Sequence, residues 1–165
     1  MVSAVQQALA KLRRARSIDE GDDYADELAK AARQNLDEVI ELYHTTESDT
    51  FALVWCLQGL TGDAVIELFT RALKHKDHQV RWAAIEGLKH SHQPSLIPVF
   101  IAALSDRAHM VKLVAVEWLT SHGDARAIAP LERLLKLRSM IKTSPGIVKE
   151  AQEAVSRLRA SRPLC

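Results

Sequence analysis

A leucine recurs every 31 residues through most of this 165-residue chain, and this interval constrains the fold more than any other feature. The four positions are Leu42, Leu73, Leu104 and Leu135. A period of this length is typical of arrays in which each repeat is one supersecondary unit and neighbouring units stack to bury their apolar faces. Apolar residues recur three and four positions apart and strand-like alternation is nearly absent, so the repeated unit is predicted to be helical.

Two neighbouring units agree in detail. The matched pairs, each 31 residues apart, are Val80 and Val111, Arg81 and Lys112, Ala84 and Ala115, Ile85 and Val116, and Leu88 and Leu119. The preceding unit lies 28 residues earlier. A last unit lies about 36 residues later, with its extra residues at Arg138–Pro145.

Helix start and stop signals predict two helices in each unit. Gly62-Asp63 and Gly123-Asp124 each place a glycine that ends one helix before an aspartate that caps the next. Other predicted helix starts are Asp77, Pro94 and Ser144-Pro145. We therefore predict an all-α fold, a right-handed α-solenoid of antiparallel helix pairs with about four repeats and an N-terminal capping helix. As a single domain over 1–165, it divides into an N-terminal helix and turn at 1–22, helical pairs at 23–61, 62–90, 93–121 and 124–159, and a mobile tail at 160–165.

The N-terminal part of the chain is less regular. The spacing of Val5, Ala8, Leu9 and Leu12 predicts a first helix with one apolar face. A polar turn is expected over Ser17–Asp23. A helical stretch from about Tyr24 to Tyr43 follows, either as one helix or with a break near Asn35; its predicted inward positions are Leu28, Ala31, Ala32, Val39 and Leu42.

The repeated segments resemble a known family. The segment from Asp77 through Val80, Arg81 and Ala84 to Leu88 is similar to short HEAT repeats of the phycobilisome-lyase-like kind. So are its counterpart at 111–119 and the segment at 122–131. The resemblance is clear over about residues 62–136 and implies that Arg81 and Lys112 bond inside the stack to an aspartate of a neighbouring turn. It also implies a concave face, lined by the second helix of each pair, that binds partners.

Helical spacing then identifies candidate partner-binding side chains. If Val80, Ala84 and Leu88 point inward, the residues on the opposite side of their helix and the equivalent residues of other units are exposed. These are Phe51, Val54, Gln58, Gln79, Trp82, Glu86, Met110, Leu113, Glu117, Lys149 and Glu153. The apolar members would form a stripe flanked by glutamates, which is typical of a protein-binding surface with Trp82 as an anchor. A helix phase shifted by one residue would instead bury Trp82 or Leu113.

The whole chain has a net charge of only +1, but its positive and negative charges are concentrated in different segments. Residues 1–16 carry +4, residues 17–70 carry −11 and residues 71–165 carry +8. The acidic block would repel a polyanion lying along the whole chain, and a glutamate-lined groove suits phosphates poorly. Nucleic acid is therefore an unlikely partner on sequence grounds.

The sequence contains no motif for catalysis or a cofactor. Cys56 is predicted to fill the core, and the seven histidines fall near expected helix ends, where cations suit the helix dipole. No phosphate-binding glycine loop or zinc-protease motif occurs. We expect a protein that is not an enzyme, has no metal or cofactor, and is cytoplasmic, since no secretory signal and no apolar run of membrane-spanning length is present.

The favoured functional hypothesis is a non-catalytic HEAT-repeat module that binds a protein partner through its concave face. One alternative is an inhibitor or immunity protein that masks a basic enzyme such as a nuclease toxin, to which the acidic block would steer it. A further alternative, implied only by the resemblance, is a chaperone subunit of the bilin-lyase kind.

Overall fold

A computed structural model describes residues 2–136 and 145–160 of the chain. These residues form ten α-helices and one 3-10 helix, and they contain no β-strand. The α-helices are α1 (Ala4–Leu12), α2 (Ile18–Gln34), α3 (Leu36–Thr45), α4 (Thr50–Trp55), α5 (Asp63–Ala72), α6 (His78–Lys89), α7 (Ile97–Ala103), α8 (His109–His122), α9 (Ala125–Leu135) and α10 (Pro145–Ala160). The 3-10 helix covers Pro94–Leu96. The all-helical prediction is confirmed for the described residues.

The helices are grouped in two compact units, Met1–Leu88 and Lys89–Cys165. In the first unit α1 packs on α2 and α3 contacts α4. In the second unit α10 packs on both α8 and α9, and α7 packs on α8. Each unit buries its own apolar side chains, among them Phe69 in the first unit and Phe100 and Trp118 in the second.

The recurring leucines mark one structural position. Leu73 and Leu104 follow directly after α5 and α7, and Leu135 is the last residue of α9. Leu42 lies in the last turn of α3. The 31-residue interval is therefore the approximate sequence distance between the C-terminal ends of α3, α5, α7 and α9.

The predicted turn at Ser17–Asp23 is wrong, because this segment begins α2. The Ser17 hydroxyl accepts a hydrogen bond from the Glu20 backbone N–H at 3.2 Å, and the Glu20 carboxylate accepts one from the Arg16 N–H at 2.8 Å. Asp19 and Glu20 also lie in the first turn, where negative charge favours the helix. The capping interactions outweigh the low helix propensity of the following glycine and aspartates.

The break near Asn35 is confirmed. Asn35 has φ −137° and ψ 54°, outside the helical region, and its side-chain Nδ2 donates to the Ala31 carbonyl at 3.1 Å. The side chain thus competes for a carbonyl at the end of α2, as asparagine does at helix ends. The predicted inward residues Leu28, Ala31, Ala32 and Val39 are buried, and Leu42 is half-buried.

Two of the predicted caps are confirmed and one is displaced by a residue. Asp77 and Asp124 accept hydrogen bonds from backbone N–H groups two residues later, each at 2.9 Å. Asp63, predicted as an N-cap, is instead the first residue of α5, and Gly62 occupies the cap position. With φ 127°, Gly62 adopts a conformation that suits only glycine, which fixes the start of the helix at this point.

Pro145 begins α10 as predicted, whereas its proposed cap Ser144 lies outside the described residues. The predicted insertion at Arg138–Pro145 and the predicted tail at 160–165 also lie outside them, except for Pro145 and Ala160. None of the helices in the described parts of the chain has both the length and the apolar character that a bilayer span requires.

Candidate protein-binding site

Three aromatic rings from α4 and α6 lie together in the first unit. The rings of Phe51 and Trp55 stack with their centroids 5.8 Å apart, and the rings of Trp55 and Trp82 approach to 5.2 Å at an angle of 31°. Phe51 and Trp82 are half-buried, and Trp55 is 38% exposed. We call Phe51, Trp55 and Trp82 the aromatic cluster.

The cluster rests on a fully buried layer of the same helices. Leu53 and Val54 of α4 are at most 1% exposed, and Ala83 and Ala84 of α6 are 0% exposed. Because a helix turns by about 100° per residue, burial of these positions directs the aromatic side chains outward over the core. Small alanines allow other elements to pack closely against this part of α6.

A hydrogen bond holds the two helices in register beneath the rings. Gln58 follows α4, and its Nε2 donates to the carbonyl oxygen of Ala83 at 2.7 Å. Gln58 is also a predicted partner contact, and its half-buried side chain links α4 to α6. It therefore contributes to the position of Trp82 relative to Trp55.

Val54 is the one apolar member of the predicted stripe that is fully buried, with 0% exposure. Its prediction as an exposed residue is therefore corrected. Val54 lies on the core side of α4, and the ring that lies beside Trp82 belongs to Trp55. The sequence could have indicated that Trp55 belongs with Phe51. The two residues are four positions apart on one helix, which is the spacing at which aromatic side chains pair.

The two polar residues predicted on α6 differ in their exposure to solvent. Gln79, near the start of α6, is exposed, and Glu86, near its end, is half-buried. The four residues predicted to point inward are Val80, Ala84, Ile85 and Leu88, and each is at most 1% exposed. The helix phase derived from the sequence is therefore confirmed for α6, and Trp82 is half-buried, with its Nε1 atom enclosed.

The other predicted residues lie in the second unit. On α8, Met110 is 46% exposed, and Leu113 and Glu117 are half-buried. The Lys89 ammonium lies 3.3 Å from the Glu117 carboxylate. On α10, the exposed Lys149 and Glu153 form a pair at 3.9 Å along the helix. Such surface pairs contribute little to stability.

The only cysteine among the described residues is unsuited to nucleophilic chemistry. Cys56 is 4% exposed, and its Sγ lies 3.2 Å from the Leu53 carbonyl. Burial raises the pKa of the Cys56 thiol to about 12. Since the thiolate is the nucleophile, this environment suits the predicted core-filling role.

The histidines lie at helix ends, as predicted, and two of them form part of a ring stack. In the second unit His92 stacks on His122 at 4.7 Å, His122 on Trp118 at 5.0 Å, and Trp118 on Phe100 at 4.0 Å. Within residues 2–136 and 145–160, no three histidine, cysteine or acidic side chains converge on a common point in the manner of a metal site.

Arg81 bonds to the turn between α5 and α6. One of its guanidinium nitrogens donates to the carbonyl oxygens of His75 and Lys76, each at 2.9 Å. The resemblance implied a bond from Arg81 to an aspartate of a neighbouring turn. That bond stays a prediction. The two bonds to carbonyl oxygens hold the turn that precedes the arginine's own helix.

The sequence profile of HEAT repeats matches residues 66–155, which is more than half of the chain. The chain therefore belongs to the HEAT-repeat family, whose members commonly mediate protein–protein interaction. The match covers α6, which carries Trp82, and α8, which carries Met110 and Leu113. No curated protein matches the chain.

Proposed function

We propose that this chain is a non-catalytic HEAT-repeat module that binds a protein partner through the face of α4 and α6 on which the aromatic cluster lies. The observation that carries the proposal is the stacked, partly exposed group of Phe51, Trp55 and Trp82. Aromatic side chains, tryptophan above all, dominate the energy of protein interfaces.

The arrangement of the cluster supports this role. Its rings are held by each other and by the Gln58 hydrogen bond to Ala83, so little side-chain freedom is lost when a partner covers them. Gln79 and Glu86 on α6 supply a polar border. A partly buried apolar centre with a polar rim is the usual composition of an interface. Met110 and Leu113 of α8 offer a second apolar patch within the other unit.

A capture experiment with matched variants tests the proposal. Protein immobilised on beads is exposed to a lysate of its source organism, alongside the Trp55→Glu and Ile18→Glu variants. Ile18 of α2 is 82% exposed and lies outside the cluster, so its variant introduces the same charge at an apolar surface position elsewhere. We expect a stoichiometric protein to be retained by the parent and by Ile18→Glu, and lost from Trp55→Glu.

Circular dichroism must show equal helicity for all three proteins. Loss of a partner with Trp55→Glu alone assigns binding to the aromatic cluster. A partner that Trp55→Glu binds with unchanged affinity would place the binding surface elsewhere and contradict the proposal.

A second candidate, an inhibitor that masks a basic enzyme, is favoured by α2. All six carboxylates of this helix are exposed: Asp19, Glu20, Asp22, Asp23, Asp26 and Glu27. An acidic surface of this kind accelerates association with a basic partner. With an identified partner, this candidate requires an association rate that falls steeply as salt is added. A rate independent of ionic strength would exclude it.

The resemblance to phycobilisome-lyase-like repeats also implies a bilin-handling chaperone, and this stays a prediction from sequence. Mixing the protein with a free bilin and recording the absorption spectrum tests it directly. An unshifted bilin spectrum would remove this alternative.

A further inference from the structure

A cationic cleft lies in the first unit, between the end of α3 and the turn that follows α5. Its volume is about 390 Å³, within the range of small-ligand sites. Its basic and aromatic lining consists of Tyr43, His44, Arg71, Lys74, His75 and Lys76. None of these residues belongs to the aromatic cluster, and the inference that follows does not depend on the proposed function.

The charges in the cleft are poorly balanced by the chain itself. Arg71, Lys74 and Lys76 are exposed, and no carboxylate among the described residues pairs with any of them. One acid, Glu47, lies in the lining. Three permanent positive charges against one negative charge leave a net charge of +2.

Uncharged donors supplement these cations. The Asp77 backbone N–H donates to His75 Nδ1 at 3.1 Å, so the proton of the neutral imidazole resides on Nε2, where it can be donated to a ligand. Burial raises the pKa of the Tyr43 phenol, and the charge of Arg71 opposes this rise. The phenol therefore remains protonated at neutral pH and can donate a hydrogen bond.

The turn that carries the lysines is held in place. Arg81 donates to the carbonyls of His75 and Lys76 at 2.9 Å, which fixes the backbone of two lining residues from the adjacent helix. Basic residues are common at helix C-termini because they offset the helix dipole. That effect concerns single helices, however, and does not explain the convergence of side chains from α3, from α5 and from its following turn on one cavity.

The charge of the surrounding unit limits which anion can bind. Residues 1–16, 17–70 and 71–88 carry +4, −11 and +2, so the first unit has a net charge of −5. A long polyanion would be repelled by the surroundings of the cleft. A compact dianion matches its local charge of +2, and a phosphate monoester presents two charges and three acceptor oxygens to such donors.

We propose that the cleft lined by Tyr43, Arg71, Lys74, His75 and Lys76 is a binding site for a phosphate monoester. The phosphate belongs either to a phosphorylated side chain of a protein or to a small phosphorylated molecule. The cations neutralise its charge, and the Tyr43 hydroxyl and His75 Nε2 donate hydrogen bonds to its oxygens.

Titration followed by NMR tests the site with three probes: inorganic phosphate, O-phosphoserine and a short glycine-serine peptide with one phosphoserine. Sodium chloride at equal ionic strength is the reference. We expect saturable shifts of the Tyr43, His44 and His75 ring signals, with a dissociation constant for inorganic phosphate of the order of millimolar. Removing two of the cations should weaken binding at least about tenfold in Lys74→Gln/Lys76→Gln, since charge-assisted hydrogen bonds are lost.

The control variant Lys30→Gln/Lys136→Gln removes two exposed lysines that do not line the cleft and should bind phosphate like the parent. Arg71→Gln provides an independent test on α5 and should also weaken binding. Tighter binding of the phosphoserine peptide than of O-phosphoserine would assign the site to a phosphorylated side chain. Equal binding of the two would assign it to a small molecule. Shifts that chloride reproduces, or binding that persists unchanged in Lys74→Gln/Lys76→Gln, would overturn the proposal.

Discussion

Gly87 of α6 lies directly against the ring of Phe69 of α5. A Cβ atom at position 87 would fall 2.5 and 2.6 Å from Phe69 Cε2 and Cε1, and closer still to Cζ. Phe69 is only 1% exposed, so its ring is surrounded by core and cannot move aside without displacing other side chains. The absence of a side chain at position 87 therefore sets how closely α5 and α6 approach.

Substitution of Gly87 by alanine should consequently destabilise the protein. Overpacking against Phe69 is expected to cost about 1–3 kcal/mol of unfolding free energy. Gly21→Ala is the matched control, because it is also within a helix and a Cβ there meets nothing within 4 Å. It should stabilise the protein by about 0.5–1 kcal/mol through helix propensity. Urea denaturation measures both changes, and a Gly87→Ala protein as stable as Gly21→Ala would contradict the packing described.

The ion pair between Arg13 and Asp49 should make stability depend on acid pH. Arg13 Nε lies 3.0 Å from each Asp49 carboxylate oxygen, and its hydrogen bonds lower the pKa of Asp49 below the ordinary value of 3.8. The ionised carboxylate is thus favoured in the folded state. Its stabilising effect is complete above the ordinary pKa and is lost as the pH falls through the lowered one.

The Asp49→Asn variant removes this ion pair while retaining a residue type that tolerates the left-handed backbone at this position, where φ is 60°. We expect its urea midpoint to lie below that of the parent from neutral pH down to about pH 5, and the two to converge in stronger acid. Asp22→Asn, at an exposed position of α2, is the control because it removes a carboxylate and leaves the Arg13–Asp49 pair in place. A difference between parent and Asp49→Asn that is the same at every pH would rule out the ion pair as its cause.

The thiol of Cys56 should resist alkylation in the folded protein. With its pKa raised to about 12, about one thiol in ten thousand is ionised at pH 8, and the side chain is buried as well. In a Cys165→Ser protein, which retains Cys56 alone, we expect iodoacetamide to react only as denaturant unfolds the chain. Rapid reaction under native conditions would show that the interior around Cys56 opens readily.

The three tryptophans should differ in their access to solvent. Trp55 is 38% exposed and Trp118 is 2% exposed, with its ring stacked on Phe100. Quenching of tryptophan fluorescence by acrylamide should therefore fall most in Trp55→Phe and least in Trp118→Phe. If the removal of Trp118 abolished most of the quenching, the core of the second unit would have to be more open than the structure shows.

Residues of α6 show how far the sequence alone determines this fold. Its twelve residues and three turns fix the helix phase, so that Val80, Ala84 and Leu88 are buried as predicted. The shorter α4 has six residues and defines its phase poorly. A shift of one residue rotates a side chain by about 100°, which is the difference between the buried Val54 and the exposed Trp55.

The cationic cleft could not be predicted from local pattern. Tyr43 and Arg71 are 28 positions apart, and their proximity depends on where α3 ends relative to α5. Helical periodicity indicates which side of a helix faces the core, but it does not specify which loops of neighbouring elements meet. The same limit applies to Gln58, whose hydrogen bond to Ala83 depends on the approach of α4 to α6.

The hydrogen bond between Gln58 and Ala83 also has a consequence for folding. These residues are 25 positions apart, so the contact closes a loop shorter than one 31-residue interval. Short loops cost little conformational entropy, and proteins dominated by such local contacts fold quickly. During synthesis, α4, α5 and α6 can associate once α6 has left the ribosome, before the rest of the chain has emerged.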